Sequence, residues 1–240
     1  MRVGEVGLSA HGGGTTVEFL QQLMSRAIVF RNLTERDRAE LARSALHCQW
    51  DPGAVLAWAG DTFPYALLIE EGSLQPTSTS PDGRTIIMRT WRPGEVFWGH
   101  TIIDGGPVPC TLTIAEPTSA YRWHKDYILP ITKSNREALW DLSLALMRRM
   151  REASSSVMEL AFDDVETRLA RLLIDEFGDD IVSIRRTMTL DEMAARIKTS
   201  REVVCRLLQR LDKKEMIEVT RTELSLKDPE ALRTLASKLI

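Results

Sequence analysis

The sequence predicts an α+β chain made of an N-terminal β-roll or jelly-roll barrel, one long helix and a C-terminal winged helix-turn-helix. Three observations predict it. Glycines at 53, 60, 72, 83 and 94 punctuate short apolar runs, one apolar stripe runs unbroken from Asn135 to Phe162, and two capped helices stand back to back after Thr189. The 240 residues suit two ordinary domains, and a hydrophobic content of 43% supports a core in each.

Residues 1–16 are rich in glycine (Gly4, Gly7, Gly12, Gly13, Gly14) and read as a flexible arm. A barrel domain that senses an effector is expected over 17–134. It opens with helical patterning, in which Leu20, Leu23, Met24 and Ala27 share a face, and a second short helix runs from Thr34, its cap, to Leu46. The runs AVLAW, YALLIEE, TIIMRTW and VFWG follow, with Pro52-Gly53, Gly60-Asp61 and Asp82-Gly83 supplying turns, a texture that suits an antiparallel barrel or sandwich. Past Pro130 the β signals stop.

Residues 135–162 form the expected dimerisation helix. Leu139, Leu142, Leu146, Met150, Ala153, Val157 and Leu160 recur at steps of three and four, a stripe as narrow as a coiled-coil seam. At 1.5 Å per residue the helix spans roughly 42 Å, more than one small domain needs for its own core. A homodimer seamed by Leu142, Leu146, Met150, Ala153 and Val157 is the expectation.

Residues 163–240 form the expected winged helix-turn-helix. Thr189 followed by Glu192 is a capping box, and Ser200 is placed to cap a second helix whose stripe is Val204, Leu207, Leu208 and Leu211. That stripe leaves Arg201, Glu202 and Arg206 on the opposite face. Arginine offers a fork to guanine O6 and N7, and glutamate accepts from cytosine N4, so these three residues suit G·C pairs in a major groove. Between Arg196 and Lys214 lie seven Lys or Arg (Arg196, Lys198, Arg201, Arg206, Arg210, Lys213, Lys214) against Glu202 and Asp212, a phosphate footprint. Double-stranded DNA is the implied partner, met by Thr199, Ser200, Arg201, Glu202, Arg206, Lys213 and Lys214. The net charge of −3 confines the positive field to this region.

Barrel, long helix and winged helix-turn-helix in that order resemble the CRP/FNR superfamily of bacterial transcription regulators over about Val17 to Leu235. The stretch LMRRMREASSSVMELAFDDVETRLARLL is similar to the family's dimer helix and TSREVVCRLL to its recognition helix. The resemblance implies a cyclic-nucleotide-binding-like effector domain, base reading by Arg201, Glu202 and Arg206, a near-palindromic operator and RNA polymerase as a further partner. Two departures stand out: Lys198 occupies the position of the usual turn glycine, and Glu215 that of a glycine before the wing. If the backbone stays left-handed there, each costs about 1–2 kcal/mol.

The effector cassette departs further. Where cyclic-nucleotide members carry a motif resembling F-G-E and then P-R-S-A, this chain has Phe97-Trp98-Gly99 and Pro107-Val108-Pro109-Cys110. Val108 cannot pair with a phosphate, Pro109 lacks an amide donor and Gly99 cannot hold a ribose. Ser154 matches a family position facing the base, yet one hydroxyl does not replace an anion site. An effector other than a cyclic nucleotide is expected, with cyclic AMP disfavoured and Trp98, Gly99, His100, Val108, Cys110 and Ser154 as pocket candidates. Phe97-Trp98-Gly99-His100 is also similar to the F-x-x-H by which a haem-containing member ligates iron. Haem ligated through His100, with Cys110 or His11 as second ligand and Trp98, Ile102 and Ile103 beside it, is therefore one alternative. Constitutive DNA binding without effector control is the other.

Enzyme classes find no support. The histidines (His11, His47, His100, His124) include no H-x-H pair, and no phosphate loop or nucleophile elbow appears. His47 and His124 read as structural, as do most of the six tryptophans. Cys48, Cys110 and Cys205 are too scattered for a disulfide framework or zinc site, and no apolar run has the length of a membrane span, so a cytoplasmic location is expected.

Overall fold

The computed structural model describes residues 15–177, 184–185, 188–220 and 223–237. Residues 1–14 of the expected arm, with His11, lie outside the described residues, and helix begins at Thr15. The chain divides into two compact units. One runs to Ser78 and resumes over Met88–Arg149, and the other comprises Thr79–Ile87 and the residues from Met150 onward.

The first unit begins with α1 (Thr15–Arg26) and α2 (Glu35–Ser44), the latter capped by the Thr34 hydroxyl, which accepts from the Asp37 amide at 3.1 Å. The strands over residues 46–124 are β1 (Leu46–Trp50), β2 (Val55–Ala57), β3 (Tyr65–Glu71), β4 (Leu74–Thr79), β5 (Thr85–Ile87, counted with the second unit), β6 (Val96–Trp98), β7 (Thr111–Ile114) and β8 (Thr118–His124), with a single-turn helix α3 (His100–Ile103) after β6. These strands do not close into the expected barrel. They form two open antiparallel sheets, ordered β1-β8-β3-β6 and β2-β7-β4-β5. Closure needs edge strands that pair with one another at a consistent stagger. Here β2, β5 and β6 are edges of only three residues, too short to extend a ladder.

Alternation along the strands builds two cores. Leu67, Ile69, Leu74, Phe97, Leu112 and Ile114 pack between the sheets, whereas Leu68, Val96, Trp98, Tyr121 and Trp123 face the helices and meet Leu20, Met24, Phe30 and Leu41. Trp123 seals the second core by donating its indole N–H to the Leu41 carbonyl at 2.8 Å. A helix that the sequence pattern does not mark, α4 (Lys125–Ser134), follows β8 and contains Pro130. The long helix α5 (Arg136–Phe162) then starts where Asn135 accepts from the Ala138 amide at 2.9 Å. It is tied to the first unit through Asp141, a buried carboxylate held by both Arg31 (3.1 and 2.9 Å) and Asn32 (2.8 Å).

One bulge interrupts the first sheet. The β3–β8 register slips between Ile69 and Glu71, leaving Glu70 as the unpaired residue, on the same face as Leu68. There its carboxylate meets His47 Nε2 (2.6 Å) and accepts from the hydroxyls of Ser119 (2.8 Å) and Tyr121 (3.2 Å). Burial opposes ionisation of Glu70, but the hydrogen bonds from His47, Ser119 and Tyr121 and the charge of His47 outweigh it and hold the carboxyl below its usual range. Its own burial and the same contact push the Tyr121 hydroxyl up to about 12.

The second unit contains the end of α5, then α6 (Val165–Phe177), β9 (Ile184–Arg185), α7 (Leu190–Arg196), α8 (Arg201–Lys213), β10 (Ile217–Val219), β11 (Glu223–Leu226) and α9 (Pro229–Ala236). Its core joins Leu169 and Leu173 of α6 to Met193, Val204, Leu208, Leu211, Ile217, Leu224 and Leu232.

A carboxyl depressed in the folded state stabilises the fold above its unfolded pKa, and that contribution is lost as pH falls through the lower folded value. Glu70→Gln should therefore flatten the acid limb of stability against pH, measured by denaturant unfolding between neutral pH and the onset of acid unfolding. Parallel curves for the two proteins would show that Glu70 contributes nothing there.

Candidate nucleic-acid interface and effector region

The two helices of the turn are set by their caps and by one arginine. Thr189 accepts from the Glu192 amide at 3.1 Å and starts α7, while the Glu192 carboxylate turns forward to Arg196 at 2.9 Å instead of back to the cap. The chain then passes through Lys198 at φ 58°, the left-handed conformation that the missing glycine foreshadowed. Arg168 of α6 fixes this corner. Its Nε donates to the Ile197 carbonyl (3.1 Å) and its Nη1 to the carbonyls of Asp163 (3.0 Å) and Glu159 (3.3 Å). Burial lowers the Lys198 amine's affinity for its proton, with Glu159 opposing and Arg168 reinforcing that effect.

Helix α8 buries Val204, Leu208 and Leu211 and turns Arg201, Glu202 and Arg206 outward. Ser200 stands at its N-cap but makes no capping bond to the backbone. Its hydroxyl instead serves the Glu202 carboxylate, which, with a backbone bond and the charges of Arg201 and Arg206, holds that group below the usual range. A second left-handed residue, Glu215 at φ 56°, leads into the β10–β11 wing, whose tip residues 221–222 lie outside the described residues. Thr199 is half-buried, its amide bonded to the Ala194 carbonyl at 2.9 Å, whereas Lys213 is exposed.

The basic footprint is less free than the sequence suggests. Arg196 pairs with Glu176 and Glu192, and Arg201 with Asp191 at 2.7 Å. Arg210 and Lys214 share Glu166 at 3.2 and 2.9 Å. None of these acids except Asp191 and Glu192 lies near its partner in sequence, so counting charges along α8 could not find them. Arg206 and Lys213 have no ion-pair partner among the described residues.

The effector candidates are not brought together. Trp98 is packed in the helix-side core against Phe30, at 6.2 Å between ring centroids, whereas Val108 is packed in the inter-sheet core. Gly99 is buried where a Cβ would meet the Phe63 carbonyl oxygen at 2.8 Å. His100 opens α3 with its side chain exposed, and Cys110 is a half-buried free thiol whose pKa is raised by burial. Ser154 is exposed and bonds back to the Met150 carbonyl at 2.9 Å. These surroundings do not fit a haem. A porphyrin beside His100 needs apolar faces free to cover it, and Trp98 and Ile102 are already spent in the core, leaving Ile103. Of the tryptophans, Trp91, Trp98 and Trp123 are core residues and Trp58 and Trp140 are exposed.

Two family models match the chain: a cyclic nucleotide-binding domain over residues 47–135 and a Crp-like helix-turn-helix domain over 167–235. The chain belongs to the CRP/FNR superfamily of bacterial transcription regulators. It is 23% identical over 195 residues to the CRP-like cAMP-activated global transcriptional regulator of Mycobacterium tuberculosis, covering 79% of this chain and 87% of that one. It is 25% identical over 186 residues to the cAMP-activated global transcriptional regulator CRP of Haemophilus influenzae, covering 71% and 80%. Among solved structures, a putative CRP/FNR-family regulator from Eubacterium rectale superposes with a TM-score of 0.72 at 15% identity, over 88% of this chain and 98% of that one.

As a CRP/FNR protein the chain is a DNA-binding regulator with an effector-type domain. Lys198 and Glu215 hold left-handed backbone where the resemblance expects glycine, and so are strained where glycine would be free. Among the described residues no helix is long and apolar enough to cross a membrane.

Proposed function

We propose that this regulator is a homodimer that reads a near-palindromic operator through α8, and that its effector is not a cyclic nucleotide. The exposed Arg201, Glu202 and Arg206, presented by a helix whose opposite face is buried, support the base-reading role most strongly. Lys213 is placed to meet the phosphate backbone beside them, with Thr199 and Ser200 at the start of the helix. Lys214, grouped with Lys213 from the sequence, has its ammonium on Glu166. RNA polymerase is the further partner that the family relationship suggests.

The exposed stripe of α5 supports a second copy as its occupant. Leu146, Met150, Val157 and Leu160 are 39%, 57%, 66% and 47% exposed along a helix that repeats every three or four residues, and Ala153 lies exposed among them. Leu142 does not belong to this seam. At 5% exposure it is part of the first unit's own core, because the helix is still covered by its own domain at that height.

Both named relatives are cAMP-activated, but this chain has Val108, Pro109 and Gly99 where phosphate and ribose would need donors and acceptors, and Val108 is wholly buried in the inter-sheet core. A buried phosphate without a charged partner is costly, which favours a different effector.

Leu146→Glu should convert the dimer to monomer in sedimentation, since it places a carboxylate beside its symmetry mate in a desolvated seam. An unchanged dimer would locate the interface elsewhere. Arg206→Ala should weaken operator binding by about 1–3 kcal/mol with little change on random DNA. The same titration with added cyclic AMP should give an unchanged curve. Equal loss of affinity on operator and random duplexes would remove Arg206 from base reading, and tighter binding with cyclic AMP would restore a nucleotide effector.

A further inference from the structure

Glu166 lies in the first turn of α6, just after the end of α5, and its side chain is 14% exposed. Each of its two oxygens takes one cation from the C-terminal end of α8: Oε2 the Arg210 guanidinium at 3.2 Å, Oε1 the Lys214 ammonium at 2.9 Å. Both cations are otherwise solvent-facing, at 61% and 44% side-chain exposure. They are two of the seven charges that make α8 and its flanks look like a phosphate footprint.

We propose that Glu166 withholds Arg210 and Lys214 from the DNA backbone and so sets the sequence-independent part of the affinity. The proposal rests on the reading that α8 meets DNA. The competition is unequal. Giving either cation to a phosphate leaves a largely desolvated carboxylate with half of its compensation, whereas the new bond to phosphate lies in water and is screened by salt. The carboxylate therefore keeps both cations when DNA is bound. Sequence-independent attraction therefore falls on every duplex, while base contacts from Arg201, Glu202 and Arg206 remain. The acid also sits in the first turn of α6, where the helix dipole favours a negative charge.

The test is the salt dependence of binding to a mixed-sequence duplex that spans two successive major-groove turns, measured by fluorescence anisotropy for the full chain. Each phosphate contact contributes about 0.9 to the slope of log K against log salt. Glu166→Gln, nearly the same shape without the charge, should steepen that slope by about one to two and raise mixed-sequence affinity at low salt. Glu166→Asp keeps the charge and the helix-start preference but is one methylene too short to span both cations, so it should release one of them and steepen the slope about half as much. If both variants bind with the wild-type slope, Glu166 does not withhold these charges and the proposal fails while DNA binding stands. If neither they nor the wild type bind any duplex, the DNA-reading role of α8 fails and takes the proposal with it.

Discussion

The recognition half of this protein depends on the fork of Arg168. One guanidinium donates to carbonyls at the end of α5 (Glu159) and just beyond it (Asp163), and at the corner between α7 and α8 (Ile197), joining helix ends that lie far apart in sequence. Planarity and five fixed donors are what allow a single side chain to do this, and lysine could not substitute. Arg171, one turn further along α6, repeats the arrangement by binding Asp163 at 2.8 Å and the Ala236 carbonyl at 2.9 Å. The recognition helix is therefore placed by hydrogen bonds to the end of the long helix as well as by the packing of Leu169 and Leu173. That is how a helix-turn-helix with two strained non-glycine corners keeps one geometry.

The long helix itself has different surroundings at its two ends. Near its start, Ala138, Asp141 and Leu142 are buried in the first unit and the Arg31–Asp141–Asn32 cluster locks the register. From Leu146 onward its apolar side chains lie largely open. One uninterrupted stripe is thus buried in its own core first and exposed afterwards. The effector domain is equally economical, because strand alternation sends Phe97 and Trp98 to opposite cores. Beside the β3–β8 bulge, Glu70 gathers a polar cluster with His47, Ser119 and Tyr121.

Much of this is legible in the sequence because local physics decides it. The caps at Thr34 and Thr189 and the extent of α5 follow from short-range signals, whereas the left-handed backbone at Lys198 and Glu215 is suggested only by the resemblance, which expects glycine there. What does not show depends on distant partners. Glycine spacing gives strand lengths and turns but not whether edges meet, so two open sheets carry the same signal as a barrel. Helix α4 is hidden by Pro130, which in a sequence argues for a break. The stripe does not say where along α5 the protein's own core ends, and so Leu142 has the pattern of a seam residue and the surroundings of a core one. Neither does a count of basic residues see Glu166 and Glu176 approaching from another helix, nor the pocket candidates Trp98 and Val108 parting to separate cores.

The central claim, that α8 reads DNA as one half of a twofold dimer, is tested most directly by selecting bound duplexes from a random-sequence library with the full-length protein. The account predicts enrichment of a near-palindrome whose half-sites lie one helical turn apart, about 34 Å, each with at least one invariant G·C pair facing Arg201, Glu202 or Arg206. Enrichment of an asymmetric single site, or no enrichment over the starting library, would contradict it.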